Sequence, residues 1–471
     1  MIVSKKWTAS TPYEGLDIAC PGRLPQNVRF FGKSLRNVSK KRTFVFFIFL
    51  VVCFSFFFRL PLSAQHKAFY TYYNFLYGAK SLAMGNAFTG AADDLTAVFR
   101  NPAGLANLSY PSFYITYRSD KMGYEFETQE KDFGTEVHRF DYNFASKLGN
   151  IGFLSISAPV TFWDVKWNFA LSYYRFLPYG FEGYSRSEFL RGSERSETFV
   201  NFSGSGGIDV LAFSTAIHLL EGAAFGITFQ RFLNSGSLAF DPDWGIIGSE
   251  HTEKIAGGNL IFGLLVEVYK DVNIGFSFHT PLKGTFHSHN LYFQDDGTTK
   301  EIDEESELYL PAKFSLGAHI RLVKFLNLSY EFSRIYWSKG KVGDYSFPVG
   351  DNYIYNQADI INHRFGIESP IVVKEALVVY IRTGLSWDKQ LFRGADDGGI
   401  WLKGYAFGCG VHVLPRIKLE MAFMHQRTKW LEPAYYEPGS FIDVKYRNNI
   451  FSVGLTYYFV PPVAPPGRMG H

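Results

Sequence analysis

Three histidines stand within eleven residues, at His279, His287 and His289. Imidazole is the commonest metal ligand among side chains. In an extended segment His287 and His289 share a face, being two residues apart. No Cys and no close carboxylate set accompanies them along the chain, so no metal site is assigned. Asp295-Asp296-Gly297 and Asp396-Asp397-Gly398 look like fragments of calcium loops. Neither repeats the ligand spacing of such a loop, and both read as solvated turns. The sequence has no Gly-x-Ser-x-Gly, no His-Glu-x-x-His and no phosphate-binding loop. A surface lipase or protease would need a Ser/His or Asp/His set on one rim, and none can be assembled. The chain therefore reads as a non-enzyme with no catalytic residue and no cofactor.

The elements that carry these residues have a period of two. Phe314, Leu316, Ala318 and Ile320 alternate with Lys313, Ser315, Gly317 and His319. Leu326, Leu328, Tyr330 and Phe332 alternate with Asn327, Ser329 and Glu331, and Phe451 to Phe459 repeats the pattern. Each such segment is a strand with one apolar and one polar face. A soluble sandwich and a membrane barrel both show this alternation. Connection lengths separate them. Short links (Gly149–Asn150, Glu221–Ala223, Lys270–Val272, Val323–Lys324, Val373–Glu375, Leu414–Arg416) alternate with long polar ones near 120–138, 179–207, 235–253, 284–307, 340–359, 389–398 and 429–443. Tight turns at one rim and long loops at the other are the pattern of an outer-membrane barrel. Seven long links imply fourteen strands, yet about fifteen segments alternate. Bacterial barrels have an even count, so one segment between 110 and 165 is not a ring strand. Trp163, Trp167, Trp337, Trp387 and Trp401 lie near strand ends and are expected in aromatic girdles.

The composition of the 471-residue chain agrees: 46% apolar, 18% aromatic, 19% charged, with a mean hydropathy of −0.06. A disordered chain is excluded, as is a polytopic helical membrane protein, because one run alone, Thr43 to Phe58, approaches a bilayer span. Three Cys exclude a disulfide scaffold. Lys40, Lys41 and Arg42 precede that run, and Arg59, Pro61 and Ala64 follow it, the order of a signal peptide. Removal of residues 1–64 leaves 37 basic and 42 acidic side chains, a net charge of −5. No basic patch for nucleic acid follows from that balance. Translation is expected to start near Val38, and VPPVAPPGRMGH after Phe459 reads as a Pro-rich tail.

One stretch, GAKSLAMGNAFTGAADDLTAVFRNPAGLANL at 78–108, is unlike the strands around it. Gly85, Ala87, Gly90 and Ala91 let a backbone pack closely inside a lumen. Asp93 or Asp94 is predicted to N-cap a short helix over Leu95–Phe99, Pro102 to stop it and Gly104 to permit a tight reversal. The stretch resembles the N-terminal hatch of the FadL/TodX family of outer-membrane hydrocarbon transporters and of the related PorV-like proteins. Both share the Gly-x-x-x-x-x-Met-Gly-x-Ala-Phe start, here Gly78 to Phe88, and the corner Asn101-Pro102-Ala103. LSYYRFLPYGF (171–181) is similar to the family's third strand with its Pro-x-Gly kink, with Tyr179 where Phe is usual. The segments 275–286, 310–338 and 364–389 and the closing FSVGLTYYF are similar to its later strands, so the likeness spans most of 68–459.

The resemblance implies an all-β fold, a transmembrane antiparallel β-barrel of about 14 strands with a small N-terminal hatch. A leader would cover 1–64, the hatch 65–109, the barrel 110–459 and the tail 460–471. The hatch motif comprises Gly85, Asp93, Asp94, Asn101, Pro102, Ala103 and Gly104. Pro178 and Gly180 either open a lateral gate in the wall or merely begin a long loop. Expected partners are outer-membrane lipid, a hydrophobic small molecule such as a long-chain fatty acid or aromatic hydrocarbon, and the barrel-assembly machinery. The location would be the outer membrane of a diderm bacterium. A second function shares the same motif: a PorV-like scaffold or shuttle in protein secretion.

Overall fold

A computed structural model describes residues 77–127, 136–141, 143–163, 165–178, 181–191, 194–233, 235–242, 249–293, 298–337, 341–342, 359–374, 377–393, 399–433 and 441–460. The leader, its apolar run, Gly180, the two Asp-Asp-Gly turns and the tail beyond Val460 lie outside them. Fourteen strands close a ring. They are β1 (Ser112–Glu127), β3 (Asn143–Phe162), β4 (Val165–Pro178), β6 (Glu194–Leu220), β7 (Ala223–Leu233), β9 (Ser249–Tyr269) and β10 (Val272–His279), then β13 (Lys313–Val323), β14 (Leu326–Ile335), β16 (Ile360–Lys374), β17 (Leu377–Arg393), β18 (Gly399–Leu414), β19 (Ile417–Pro433) and β20 (Phe441–Tyr458). Each pairs antiparallel with the next, and β20 returns to β1, from Ser112 opposite Tyr458 to Glu127 opposite Asp443. Closure leaves the ring without an edge strand.

Six further strands, β2 (Glu136–Asp141), β5 (Phe181–Arg191), β8 (Ser235–Pro242), β11 (Leu282–Phe293), β12 (Thr299–Leu310) and β15 (Lys341–Val342), extend the wall beyond one rim. They pair with the long ends of β6 and β9 and with one another. Three of the expected long loops, at 179–207, 235–253 and 284–307, are therefore largely strands. Their polar composition misled the reading, because a strand that rises out of the apolar zone carries charge and keeps its ladder. The surplus segment between 110 and 165 arises from dividing β3 in two, while β2 pairs with β5 beyond the rim. The expected turn at Gly149–Asn150 falls inside β3, and the chain reverses instead at Trp163, whose φ is +48°. The tight turns at Glu221–Gly222, Lys270–Asp271 and Pro415–Arg416 are where the spacing placed them.

Alternation becomes an inside and an outside. Leu316, Phe365, Leu385, Phe407 and Phe451 are exposed on the outer wall, while Ser315, Arg364, Ser386, Ala406 and Ser452 beside them are buried. Trp163 is 96% exposed and Trp337 only 4%. The latter packs in the interior core, so it does not belong to a girdle.

Segment 77–108 fills part of the interior. Helix α1 (Ala79–Ala83), helix α2 (Ala97–Arg100) and a 3₁₀ helix (Pro102–Asn107) are almost wholly buried. These pieces are too short to be stable alone, so the wall must hold them. Glycines on the inner wall allow the approach. A Cβ on Gly226 or Gly263 would meet Asn101–Ala103, on Gly275 or Gly317 would meet Thr89–Gly90, and on Gly366 or Gly384 would meet Met84–Gly85. Within the plug Gly78, at φ +108°, and Gly85, at φ +61°, combine close contact with a positive φ that favours glycine. Replacing Gly384 with Val should unseat the plug, at an overpacking cost of about 1–3 kcal/mol. Trypsin should then cut at Lys80 or Arg100, both protected in the parent, while the heat-modifiable barrel band persists on a denaturing gel.

Candidate functional site

The site is the plugged lumen. Its tightest anchor is Glu331 on β14, which no motif marked. One carboxylate oxygen accepts from the backbone N–H of Phe88 (3.0 Å), that of Thr89 (2.9 Å) and the Thr89 hydroxyl (2.7 Å). The other oxygen takes Arg364 Nη1 at 3.1 Å, and Arg364 Nε donates to Asp388 at 3.0 Å. All three wall side chains are buried. A second array lies nearer the tight turns. Lys80 on α1 pairs with Asp93 (2.7 Å) and Glu368 (3.3 Å); Arg382 bridges Glu368 (2.7 Å) and Glu420 (3.0 Å); Lys418 meets Glu420 at 2.8 Å. Charges this deep persist only when paired.

The motif residues divide into several tasks. Asn101 Nδ2 donates to the carbonyls of Thr89 (2.8 Å) and Leu264 (3.1 Å), and its Oδ1 accepts from Ala103 N–H (3.3 Å). One side chain thus ties two turns of the plug to β9. Asp94 accepts from the Thr96 N–H at 2.8 Å and so caps the turn, but the helix it precedes is Ala97–Arg100 and not 95–99. Asp93 is spent on Lys80 instead. Pro102 opens the 3₁₀ helix, and Gly104 serves by close approach to Ala92 and not by a reversal, since its φ is not positive. The wall supplies further donors: Thr228 to the Val98 carbonyl (2.8 Å), Asn168 to the Leu108 carbonyl (3.0 Å) and His218 to the Ala106 carbonyl (2.9 Å).

Away from the tight turns the interior gains an apolar cluster, beside buried polar groups such as Lys313 and the Arg118–Asp120 pair at 2.7 Å. Phe176 and Phe232 meet edge to face at 4.9 Å, and Ile255, Phe286, Leu308 and Trp337 are buried in the same cluster. The wall is interrupted beside this layer. Pairing of β3 with β4 runs from Phe162–Val165 to Phe153–Tyr174 and stops there. Beyond it β3 is paired with β1, and β4 with β6 as far as Pro178 opposite Gly207. Both strands bulge at that height, at Gly152 and Phe176. The Tyr77 ring occupies the place where a Cβ on Gly152 would go, 5.7 Å from the Arg118 guanidinium. Outside it, Arg175 pairs with Asp209 at 2.7 Å and Tyr173 donates to the same carboxylate at 2.6 Å.

Glu331→Gln should destabilise the seated plug by about 3 kcal/mol, because it leaves Arg364 and two backbone donors short of an anion. Urea unfolding in lipid vesicles measures it. Arg334→Met, which breaks the half-exposed pair with Asp359, should change stability by less than about 1 kcal/mol.

No protein-family model matches the chain, and no curated protein is similar to it in sequence. Solved structures are. A FadL homologue of Pseudomonas aeruginosa superposes with a TM-score of 0.53 at 14% identity, over 80% of this chain and 98% of that one. The Pseudomonas putida toluene transporter TodX gives 0.53 at 11% identity, over 81% and 98%. The CymD monoaromatic hydrocarbon channel gives 0.50 at 10% identity, over 81% and 97%. With fourteen ring strands and a near end-to-end match to each of these chains, the protein has the barrel fold of the FadL homologue and TodX.

Proposed function

We propose that this chain is an outer-membrane barrel of the FadL/TodX family for passive uptake of hydrophobic compounds. The observation that carries the reading is the pairing of an interrupted wall with a closed base. The ladder between β3 and β4 stops at Phe153–Tyr174 beside an apolar layer, while the turn side of the lumen holds the ion-paired plug. An apolar ligand gains nothing from crossing the charged layer, where it would displace pairs that need each other. Sideways passage into a bilayer keeps it out of water. In this reading Pro178, at the end of β4, belongs to the gate that the sequence assigned to Pro178 and Gly180, the latter outside the described residues, and Tyr77 is its stopper. The apolar outer wall favours lipid as surroundings, and the similarity to a toluene transporter favours an aromatic or aliphatic hydrocarbon as cargo. Outer-membrane lipid and the barrel-assembly machinery are the remaining partners of this reading.

Uptake of labelled toluene and labelled oleate by cells with and without the protein tests it. Carriage should raise entry of at least one several-fold, Tyr77→Ala should raise it further, and Gly180→Trp should reduce it with the folded barrel unchanged. Equal entry of both compounds with and without the protein would reject transport and leave the secretion scaffold as the surviving reading.

A further inference from the structure

The histidine pair that the sequence left without close carboxylates has them across the sheet. His287 and His289 lie on β11, and β12 runs beside it in a register that sets Glu305 opposite His287, Asp303 opposite His289 and Glu301 opposite Leu291. All five polar side chains occupy one face, opposite to the face on which Phe286 and Leu308 are buried. His289 Nδ1 lies 2.7 Å from Asp303 Oδ1 and 3.6 Å from Glu301 Oε1, and His287 Nε2 lies 3.5 Å from Glu305 Oε1. The ligand atoms of His289, Glu301 and Asp303 are all within 4.8 Å of one another.

We propose that this face of the β11–β12 hairpin is a binding site for a divalent transition-metal ion of the zinc type, with His289, Asp303 and Glu301 as its core ligands and His287 with Glu305 beside them. Bonds of about 2.0–2.2 Å to nitrogen and oxygen place tetrahedral ligand atoms about 3.3 Å apart. The observed separations bracket that value, and half-exposed side chains can close the difference by rotation. Imidazole nitrogen selects zinc, nickel or copper over calcium and magnesium, which take oxygen. The charge balance agrees. Four carboxylates, Glu301, Asp303, Glu305 and Glu307, stand at successive same-face positions of one strand, with Lys254 in register with His287 on the neighbouring β9. A dication relieves their mutual repulsion.

Such a clip would join β11 to β12 on the outside of the strands whose inner side bears Phe286 and Leu308. It would stiffen the apolar mouth of the lumen without entering it. The inference does not depend on what the lumen carries.

Isothermal titration of the full chain in detergent, without a polyhistidine tag, with zinc chloride tests the site. One zinc should bind per chain, His289→Ala should weaken binding about tenfold or more, and His287→Ala/His289→Ala should abolish it. Asp303→Asn should weaken binding as well, and His425→Ala, on a strand away from the hairpin, should leave it unchanged. Excess calcium should not displace the zinc. Absence of zinc binding, or binding unaltered in the double histidine variant, would overturn the proposal. Displacement by calcium at matched concentration would do the same, marking a plain acidic patch.

Discussion

Irregular backbone enclosed by a barrel wall must find a partner for every polar group that water no longer reaches, and this requirement organises the rest of the molecule. Segment 77–108 has two short helices and one 3₁₀ turn, so many of its N–H and C=O groups lie outside regular ladders. The wall answers in two ways. Glycines at Gly226, Gly263, Gly275, Gly317, Gly366 and Gly384 remove the side chains that would hold the segment off. Glu331, Thr228, Asn168 and His218 then supply partners to the backbone they face. The wall is shaped to its plug as much as the plug is to the wall.

The same low-dielectric enclosure explains the layering. Arg364, Arg382, Glu331 and Glu420 are each almost completely buried, and unpaired they would cost several kcal/mol apiece. They are distributed so that every one has an opposite charge within 3.1 Å. Grouping them with the plug leaves the other side of the lumen free for Phe176, Phe232, Ile255 and Trp337. An ion-paired plug on one side and an apolar cluster on the other is a division that a uniformly polar lumen, as in a water-filled channel, would lack.

How far this was legible depended on whether the signal was local. Phe314-Leu316-Ala318 against Lys313-Ser315-Gly317 showed a strand and its two faces at once, because the period of two is a property of the strand itself. The corner Asn101-Pro102-Ala103 was legible as a unit, and Asn101 does join the plug to β9. Glu331 was not. It lies in an ordinary alternating strand, and only the placement of Phe88 and Thr89 more than 240 residues earlier gives its carboxylate a task. The carboxylates beside His287 and His289 were hidden for a related reason: at 301–305 they are remote in sequence and adjacent only through the hairpin register. Trp337 was misplaced because closeness to a strand end does not say which face a side chain takes.

Alternation, turn spacing and the small-residue segment were determined by the sequence alone: a β-barrel of about fourteen strands with something tucked into its N-terminal end. Those features arise from interactions within a few residues, so a one-dimensional reading can recover them. Tertiary structure decided which glycines seat the plug, which carboxylates hold it, that the long links rise as further strands, and where the β3–β4 ladder stops. Each of these depends on the register between segments far apart in the chain. A shift of one residue in that register turns an inward side chain outward, and nothing local to the strand records which register closure selects.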